Sequence, residues 1–328
     1  MIKDFILNNK VDMSEHTKAL ALIEKSRYIL IVTHVNPDPD SIGSALAISN
    51  LFHENKIKHK VFNVSDDLPQ NLDFIPRFDK ISNQLPAFFD LIISVDCGTY
   101  KRLGFEPDPS IPLINFDHHK SNNHFGVVNI VDPMKSSTAE LVFEFFKHNG
   151  LYITKNSATA LYVGIYDDTL AFSLGRCDEL TFEKTNFLVE CGANPSEIAN
   201  KLLRRDSLAK YRIIPKVLDS LELFCEGEIA SIFAKEEWFK QTGAHNRDCE
   251  DALDMIMSIA IVKIAFFVRV VNGVSRISLR SKGKIDVSKI AGEFGGGGHF
   301  NAAGCTIDMI DVEKAKDIVL KEIFEVYK

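Results

Sequence analysis

Four short, mostly apolar runs, residues 28–33, 60–64, 91–95 and 112–116, are separated by stretches long enough to hold helices, and that rhythm limits the first part of the chain more than any other feature. Apolar runs without polar alternation belong to strands covered on both faces, the condition of a parallel sheet built from βαβ units. Residues 42–55, 137–149 and 156–166 carry the mixed apolar spacing of packed helices. The expected fold class is α/β, with an N-terminal doubly wound, mostly parallel sheet and helices on both of its faces.

Sheets of this kind gather ligands outside the carboxyl ends of their strands, where the loops converge. Polar clusters follow the apolar runs at those places. The first is His34-Val35-Asn36-Pro37-Asp38-Pro39-Asp40-Ser41. If the loop is extended, alternate side chains point the same way, so His34, Asn36, Asp38 and Asp40 can converge. The plainer alternative is that Asp40 or Ser41 caps the next helix and Asp38 turns the chain between two prolines. Asp96-Cys97-Gly98 follows residues 91–95, and a single carboxylate there is more often a turn residue. Asp117-His118-His119 follows residues 112–116. His118 can offer a neutral ring nitrogen to a metal, while Asp117 orients a neighbouring ring. Two adjacent histidines after an aspartate are less easily read as a solvated turn than a lone one. Gly164-Ile165-Tyr166-Asp167-Asp168-Thr169 closes an apolar, helix-like segment, and alone would be a helix end with surface carboxylates.

Together the four clusters supply carboxylates and imidazoles in the number and hardness suited to a pair of Mn²⁺ or Mg²⁺ ions. A single structural zinc site would need only four ligands. Two such ions about 3.5 to 4 Å apart clamp a phosphoryl group and activate water at neutral pH, so phosphoester hydrolysis is the natural chemistry.

From about residue 218 the pattern changes to strands at 228–234, 262–271 and 274–280, with helices expected at 250–259, 287–294 and 312–327. This describes a smaller mixed α/β domain. Residues 179–192 read as helical, and the polar, basic stretch 194–212 as a helical connector. The expected domains are residues 1–193, a connector at 194–217, and 218–328. The second domain contains Arg280-Ser281-Lys282-Gly283 and the run Gly295, Gly296, Gly297, Gly298, His299. Consecutive glycines let backbone N–H groups approach a phosphate, with His299 as a further donor and Arg280 as a bidentate grip. A flexible loop and a solvated strand end would explain the same residues.

Composition narrows the partners. The chain of 328 residues, 45% hydrophobic and 25% charged, suits two globular domains. No run approaches the roughly 18 to 20 apolar residues of a membrane span. Residues 1–18 are charged and lack a signal peptide's apolar core, so the cytoplasm is the expected location and no membrane partner is expected. The six cysteines are scattered without a CxxC pair, against a structural zinc site or a disulfide framework. A net charge of -7 does not suit a protein that tracks along long duplex nucleic acid, although part of that charge would belong to metal ligands.

In the order and spacing of its motifs the chain resembles the DHH phosphoesterases, specifically the small two-domain members with oligoribonuclease and 3′-phosphoadenosine-5′-phosphate phosphatase activity. Residues 34–40 look like the first family motif, Asp96 the second, Asp117 to His119 the third and Asp168 the fourth; the segments around Arg280 and Gly295 to His299 look like the DHH-associated C-terminal domain. The resemblance implies two divalent cofactor ions, Mn²⁺ preferred and Mg²⁺ second. One would be held by His34, Asp38 and Asp96, the other by Asp40, Asp96, His118 and Asp168, with Asp96 bridging. His119 would stabilise charge on the phosphoryl oxygens and Asp117 would support it. Arg280, Ser281, Gly295 to Gly298 and His299 would bind substrate across an interdomain cleft. The implied partner is a short oligonucleotide or nucleotide, and the implied state a monomer or homodimer. Leu170-Ala171 stands where relatives commonly carry a glycine, and Asp167 adds a carboxylate beside the expected ligand. Competing readings are a cyclic-dinucleotide or linear dinucleotide phosphodiesterase, a RecJ-like exonuclease, an inorganic pyrophosphatase, which the glycine-rich element disfavours, and an inactive nucleotide sensor, which would be expected to lose ligands.

Overall fold

The computed structural model describes residues 14–65, 68–173, 177–271 and 273–327. The chain divides into two compact units between Arg205 and Asp206.

In the first unit the apolar runs form β1 (Ile29–Val32), β2 (His59–Phe62), β4 (Leu91–Val95) and β5 (Leu113–Asp117), joined by a two-residue β3 (Ile81–Ser82) and by β6 (Val128–Val131). All neighbours pair in parallel, in the order β3-β2-β1-β4-β5-β6. From β1 the chain builds outwards through β2 and β3, then returns to place β4 on the other side of β1. The order therefore reverses between β1 and β4, the position at which open α/β sheets bind ligands.

Side-chain alternation divides the core. Ile29, Ile31, Ile93, Ile114 and Phe116 point into the larger cluster, packed with α1 (Glu15–Lys25), α2 (Pro39–Glu54), α3 (Thr138–His148) and α4 (Lys155–Asp168). Leu30, Val32, Ile92 and Leu113 point the other way, against Leu103, Phe105, Ile111 and Phe125. Helices on both faces were expected; the second face is instead covered by a 3-10 turn (Tyr100–Leu103) and loop side chains. Its apolar set is small enough for loops to close, which explains the difference.

Two further helices, α5 (Glu179–Glu190) and α6 (Pro195–Leu203), complete the unit. Lys184 of α5 pairs with the buried Glu140 of α3 and lies 2.8 Å from Glu144, tying the start of α3 to α5.

The second unit begins with α7 (Leu208–Asp219), capped by Ser207, so the polar stretch after Asn194 holds two helices, one in each unit. Its sheet has the order β11-β12-β10-β9-β8-β7, comprising β7 (Glu222–Phe224), β8 (Ile229–Ala234), β9 (Ile264–Val271), β10 (Val274–Ser281), β11 (Gly297–His299) and β12 (Ala302–Ile307). Only β8 and β9 pair in parallel. α8 (Glu236–Thr242), α9 (Asp251–Met257), α10 (Val287–Glu293) and α11 (Val312–Tyr327) accompany it. Among the described residues no helix is long and apolar enough to cross a membrane.

Replacing Lys184 by methionine leaves the Glu140 carboxylate buried without its counter-charge. Breaking such a pair costs about 3–5 kcal/mol, so Lys184→Met should lower the unfolding free energy in urea titrations by that order. A midpoint equal to that of the parent protein would show that the pair does not anchor α3.

Candidate metal centre

The centre is assembled at the carboxyl ends of β1, β4 and β5, where the chain leaves the sheet on either side of the β1/β4 reversal. After β1, the left-handed Asn36 (φ 55°) turns the chain, so the residues that follow are not in a simple extended loop. Asp38 caps α2, accepting from the Ser41 N–H at 2.9 Å, and Pro39 occupies the first helical turn, where its missing N–H costs nothing. Capping and convergence thus coexist: His34, Asp38 and Asp40 approach the site through a turn and a helix start. Asn36 is exposed, and its N–H donates to Ser65 Oγ.

Asp96 follows β4 with φ 57°, an uncommon conformation for a residue with a side chain, of the kind that clusters at functional sites. The turn presents its two oxygens to different partners. Oδ2 is 3.4 Å from His34 Nε2, while Oδ1 is 3.7 Å from His118 Nε2 and accepts from Thr138 Oγ1 at 3.0 Å. Asp38 Oδ2 is 3.4 Å from His34 Nε2, and Asp168 Oδ2 is 3.2 Å from His118 Nε2. Ligand-capable atoms of His34, Asp38 and Asp96 lie within 4.8 Å of one another, as do those of Asp40, His118 and Asp168, and those of Asp96, His118 and His119. All six residues expected to hold metal converge in two groups, with Asp96 reaching both. Asp168 is the last residue of α4, the helix end that its apolar, helix-like segment predicts.

The electrostatics fit cations. Burial, then the neighbouring Asp96, Asp168 and Asp38, drive the Asp40 carboxyl well above its usual range. Burial and the charges of Asp96 and Asp38 push Asp168 up to about 8, and burial with Asp38 pushes Asp167 up to about 7. Burial opposes ionisation of Asp96 as well, but the hydrogen bond from His34 and the imidazoles of His119 and His118 hold it below the ordinary value. Burial works against a charged His34, yet contacts with Asp38 and Asp96 outweigh it and push the ring up to about 10. Carboxylates this close need positive charge between them, and their oxygens together with imidazole nitrogens are the donor set that divalent Mn or Mg accepts.

The Asp117-His118-His119 triplet separates into roles. The ring of His118 donates from Nδ1 towards the Lys135 carbonyl at 3.4 Å, turning Nε2 to the carboxylates. Burial keeps His118 below its ordinary pKa, the neutral form a metal requires. His119 donates from Nδ1 to Asp117 Oδ1 at 2.7 Å; burial lowers its pKa, but Asp117 and Asp96 raise it by more. Asp117 is fully buried, and its other oxygen accepts from Asn122 Nδ2 at 2.6 Å, whose amide also donates to Asn115 Oδ1 at 2.7 Å.

Sequence reasoning missed the partners that orient the ligands. Thr138 N–H and Ala139 N–H donate to the two oxygens of Asp40 at 2.7 and 2.9 Å. Arg102 Nη2 lies 3.0 Å from His34 Nδ1. Gly164 was within a cluster already singled out: an added methyl there would lie 2.6 Å from Asp40 Oδ1, so α4 can pass the carboxylate only at a glycine. Ser-Thr immediately before an apolar helix was a readable capping signal; its reach to Asp40 was not.

The residues expected to bind substrate lie in the second unit. Arg280 lines a cavity of about 310 Å³ with Arg269, Ser278, Glu250 and Asp254. The Ser281 hydroxyl donates to the Ile285 carbonyl at 2.6 Å and accepts from Asn301, so it holds a loop. The glycine run is not only a loop: Gly297 to His299 form β11, and a methyl on Gly296 or Gly298 would lie 2.2 or 2.5 Å from a carbonyl oxygen of β12. Close strand pairing accounts for those two glycines.

Residues 28–165 match the DHH family, N-terminal domain, and residues 229–327 match the DHHA1 domain. The bifunctional oligoribonuclease and PAP phosphatase NrnA of Thermus thermophilus is 29% identical over 300 residues, 90% of this chain and 89% of the relative. An exopolyphosphatase-related protein from Bacteroides fragilis has the same fold, with a TM-score of 0.85 and 26% identity, covering 94% of this chain and 96% of that one. RecJ from Thermus thermophilus, solved in complex with Mn²⁺, has a TM-score of 0.56 at 14% identity, covering 94% of this chain and 54% of that one.

Gly164→Ala should displace the Asp40 carboxylate and weaken Mn²⁺ binding in calorimetric titrations by about tenfold or more, the usual cost of disturbing a ligand's support. Unaltered affinity in a folded variant would show that α4 yields to the methyl without moving Asp40.

Proposed function

This chain belongs to the DHH family and carries a DHHA1 domain, and from that premise we propose that it is a two-metal phosphoesterase acting on short oligonucleotides and nucleotides. The observation that carries the proposal is the pair of ligand groups that share Asp96. The proposed reactions are release of mononucleotides from very short oligonucleotides and dephosphorylation of 3′-phosphoadenosine-5′-phosphate, the pair of activities named for the Thermus relative.

In this reading His34, Asp38 and Asp96 hold one divalent ion, and Asp40, Asp96, His118 and Asp168 the other, with Mn²⁺ preferred for a mixed oxygen and nitrogen donor set. When bound, the pair supplies Lewis acidity to phosphoryl oxygens and lowers the pKa of water. The protein's own part is positioning. Asp96 fixes the two ligand groups in register, and His119, oriented by Asp117, donates to the charge that develops on the phosphoryl group. Arg280, with backbone N–H groups of the 295–298 glycine run, is assigned to the substrate's phosphate, and the bidentate guanidinium suits it. A few phosphates need only that small basic element, which accords with a net charge of -7.

The test is a panel with Mn²⁺ comprising dinucleotides, five-residue RNA and DNA, 3′-phosphoadenosine-5′-phosphate, a cyclic dinucleotide, long single-stranded DNA and pyrophosphate. Dinucleotides and the phosphoadenosine should give the highest kcat/KM. Asp38→Ala and His118→Ala should each remove turnover with little change in the unfolding midpoint. Preference for long DNA or pyrophosphate would contradict the substrate assignment, and full activity in either variant would contradict the site.

A further inference from the structure

The start of α3 touches the two ligand groups unequally. Thr138 is fully buried; its Oγ1 donates to Asp96 Oδ1 at 3.0 Å and its N–H to Asp40 Oδ2 at 2.7 Å. The next N–H, of Ala139, donates to Asp40 Oδ1 at 2.9 Å, and the Lys135 carbonyl faces the His118 ring at 3.4 Å. One short segment therefore reaches Asp40, the His118 ring and the Asp96 oxygen on the His118 side. The other group draws on different partners: His34 Nδ1 lies near Val35 O and Arg102, and Asp38 accepts from Ser41. The segment is itself clamped, because the Glu140 carboxylate accepts from Ser136 Oγ, from Thr181 Oγ1 at 2.8 Å and from Lys184.

We propose that Thr138 is a positioning residue that builds one of the two cation positions, the one formed by Asp40, His118 and Asp168, and sets it in register with Asp96. The inference rests on the two-metal reading and adds an asymmetry to it. The hydroxyl orients the Asp96 oxygen directed at His118, while the two helix-start N–H groups fix the carboxylate plane of Asp40. Losing such a hydrogen bond to a ligating carboxylate typically costs about 10- to 100-fold in metal affinity. Among the described residues no hydrogen bond from α3 reaches His34 or Asp38, so that position meets α3 only through the shared Asp96.

Thr138→Val keeps the shape and the backbone donor and removes only the hydroxyl; Thr138→Ser keeps the hydroxyl. Metal-stripped protein would be titrated with Mn²⁺ by calorimetry and by electron paramagnetic resonance, which separates isolated ions from a spin-coupled pair. The parent protein should bind two ions and develop the coupled signal. In Thr138→Val one ion should weaken about 10- to 100-fold, with the other unchanged within the scatter of replicate titrations, so that an uncoupled six-line spectrum persists at one equivalent. Thr138→Ser should restore the pair. Equal weakening of both ions, or no change in either, in a variant that unfolds at the parent's temperature would overturn the inference. A parent protein that binds fewer than two ions would instead overturn the two-metal reading on which it rests.

Discussion

Asp38, Asp40, Asp96 and Asp168 meet two imidazoles at one end of a parallel sheet, and their mutual repulsion is the constraint on which the first unit depends. At about 4 Å, two ionised carboxylates in a partly screened protein setting repel by about 4 kcal/mol, and with burial this repulsion is what lifts Asp40 and Asp168 above the usual carboxylate range. A fold that gathers four carboxylates must hold them against that force. It does so with the donors of α3 on Asp40, the His34 ring between Asp38 and Asp96, and the Thr138 hydroxyl on Asp96. Every one of these groups comes from a loop or a helix start that the strand order brings to the same edge.

The same constraint explains local features that would otherwise be costly. Asp96 takes a left-handed conformation at the end of β4, which turns its two oxygens towards opposite partners. Gly164 keeps a helix face bare where Asp40 passes, and Gly43 does so across the same interface, where a methyl would lie 2.5 Å from the Ala160 carbonyl oxygen. Leu170, Ala171 and Phe172, following Asp168 and Thr169, are also left-handed, and Phe172 packs against Tyr162, Tyr166 and Phe182. Aromatic packing holds a turn that a glycine would adopt without strain.

Much of this was legible because the strands are buried on both faces and therefore read as uninterrupted apolar runs. The clusters after β1, β4 and β5 could be placed at one sheet edge from that pattern alone. What escaped reading has physical reasons. β3 has two residues and β11 is largely glycine, so neither carries a side-chain pattern. The second sheet face is closed by Leu103, Phe105 and Ile111, apolar residues in a 3-10 turn and in loops that no periodicity marks. The donors from Thr138 and Ala139 are backbone groups about a hundred residues from Asp40, and a sequence does not display which carboxylate a helix start will meet. In the second unit, β10 alternation sends Arg280 to the cavity and Ser281 into the loop contacts, a distinction that adjacency in sequence conceals.

The central claim is that two cations share the Asp96 carboxylate. Anomalous diffraction at the manganese edge from crystals grown with Mn²⁺ tests it most directly. The account predicts two peaks, one beside His34 and Asp38 and the other beside Asp40, His118 and Asp168, each within bonding distance of a different Asp96 oxygen. A single peak, or peaks that leave Asp96 uncoordinated, would contradict it.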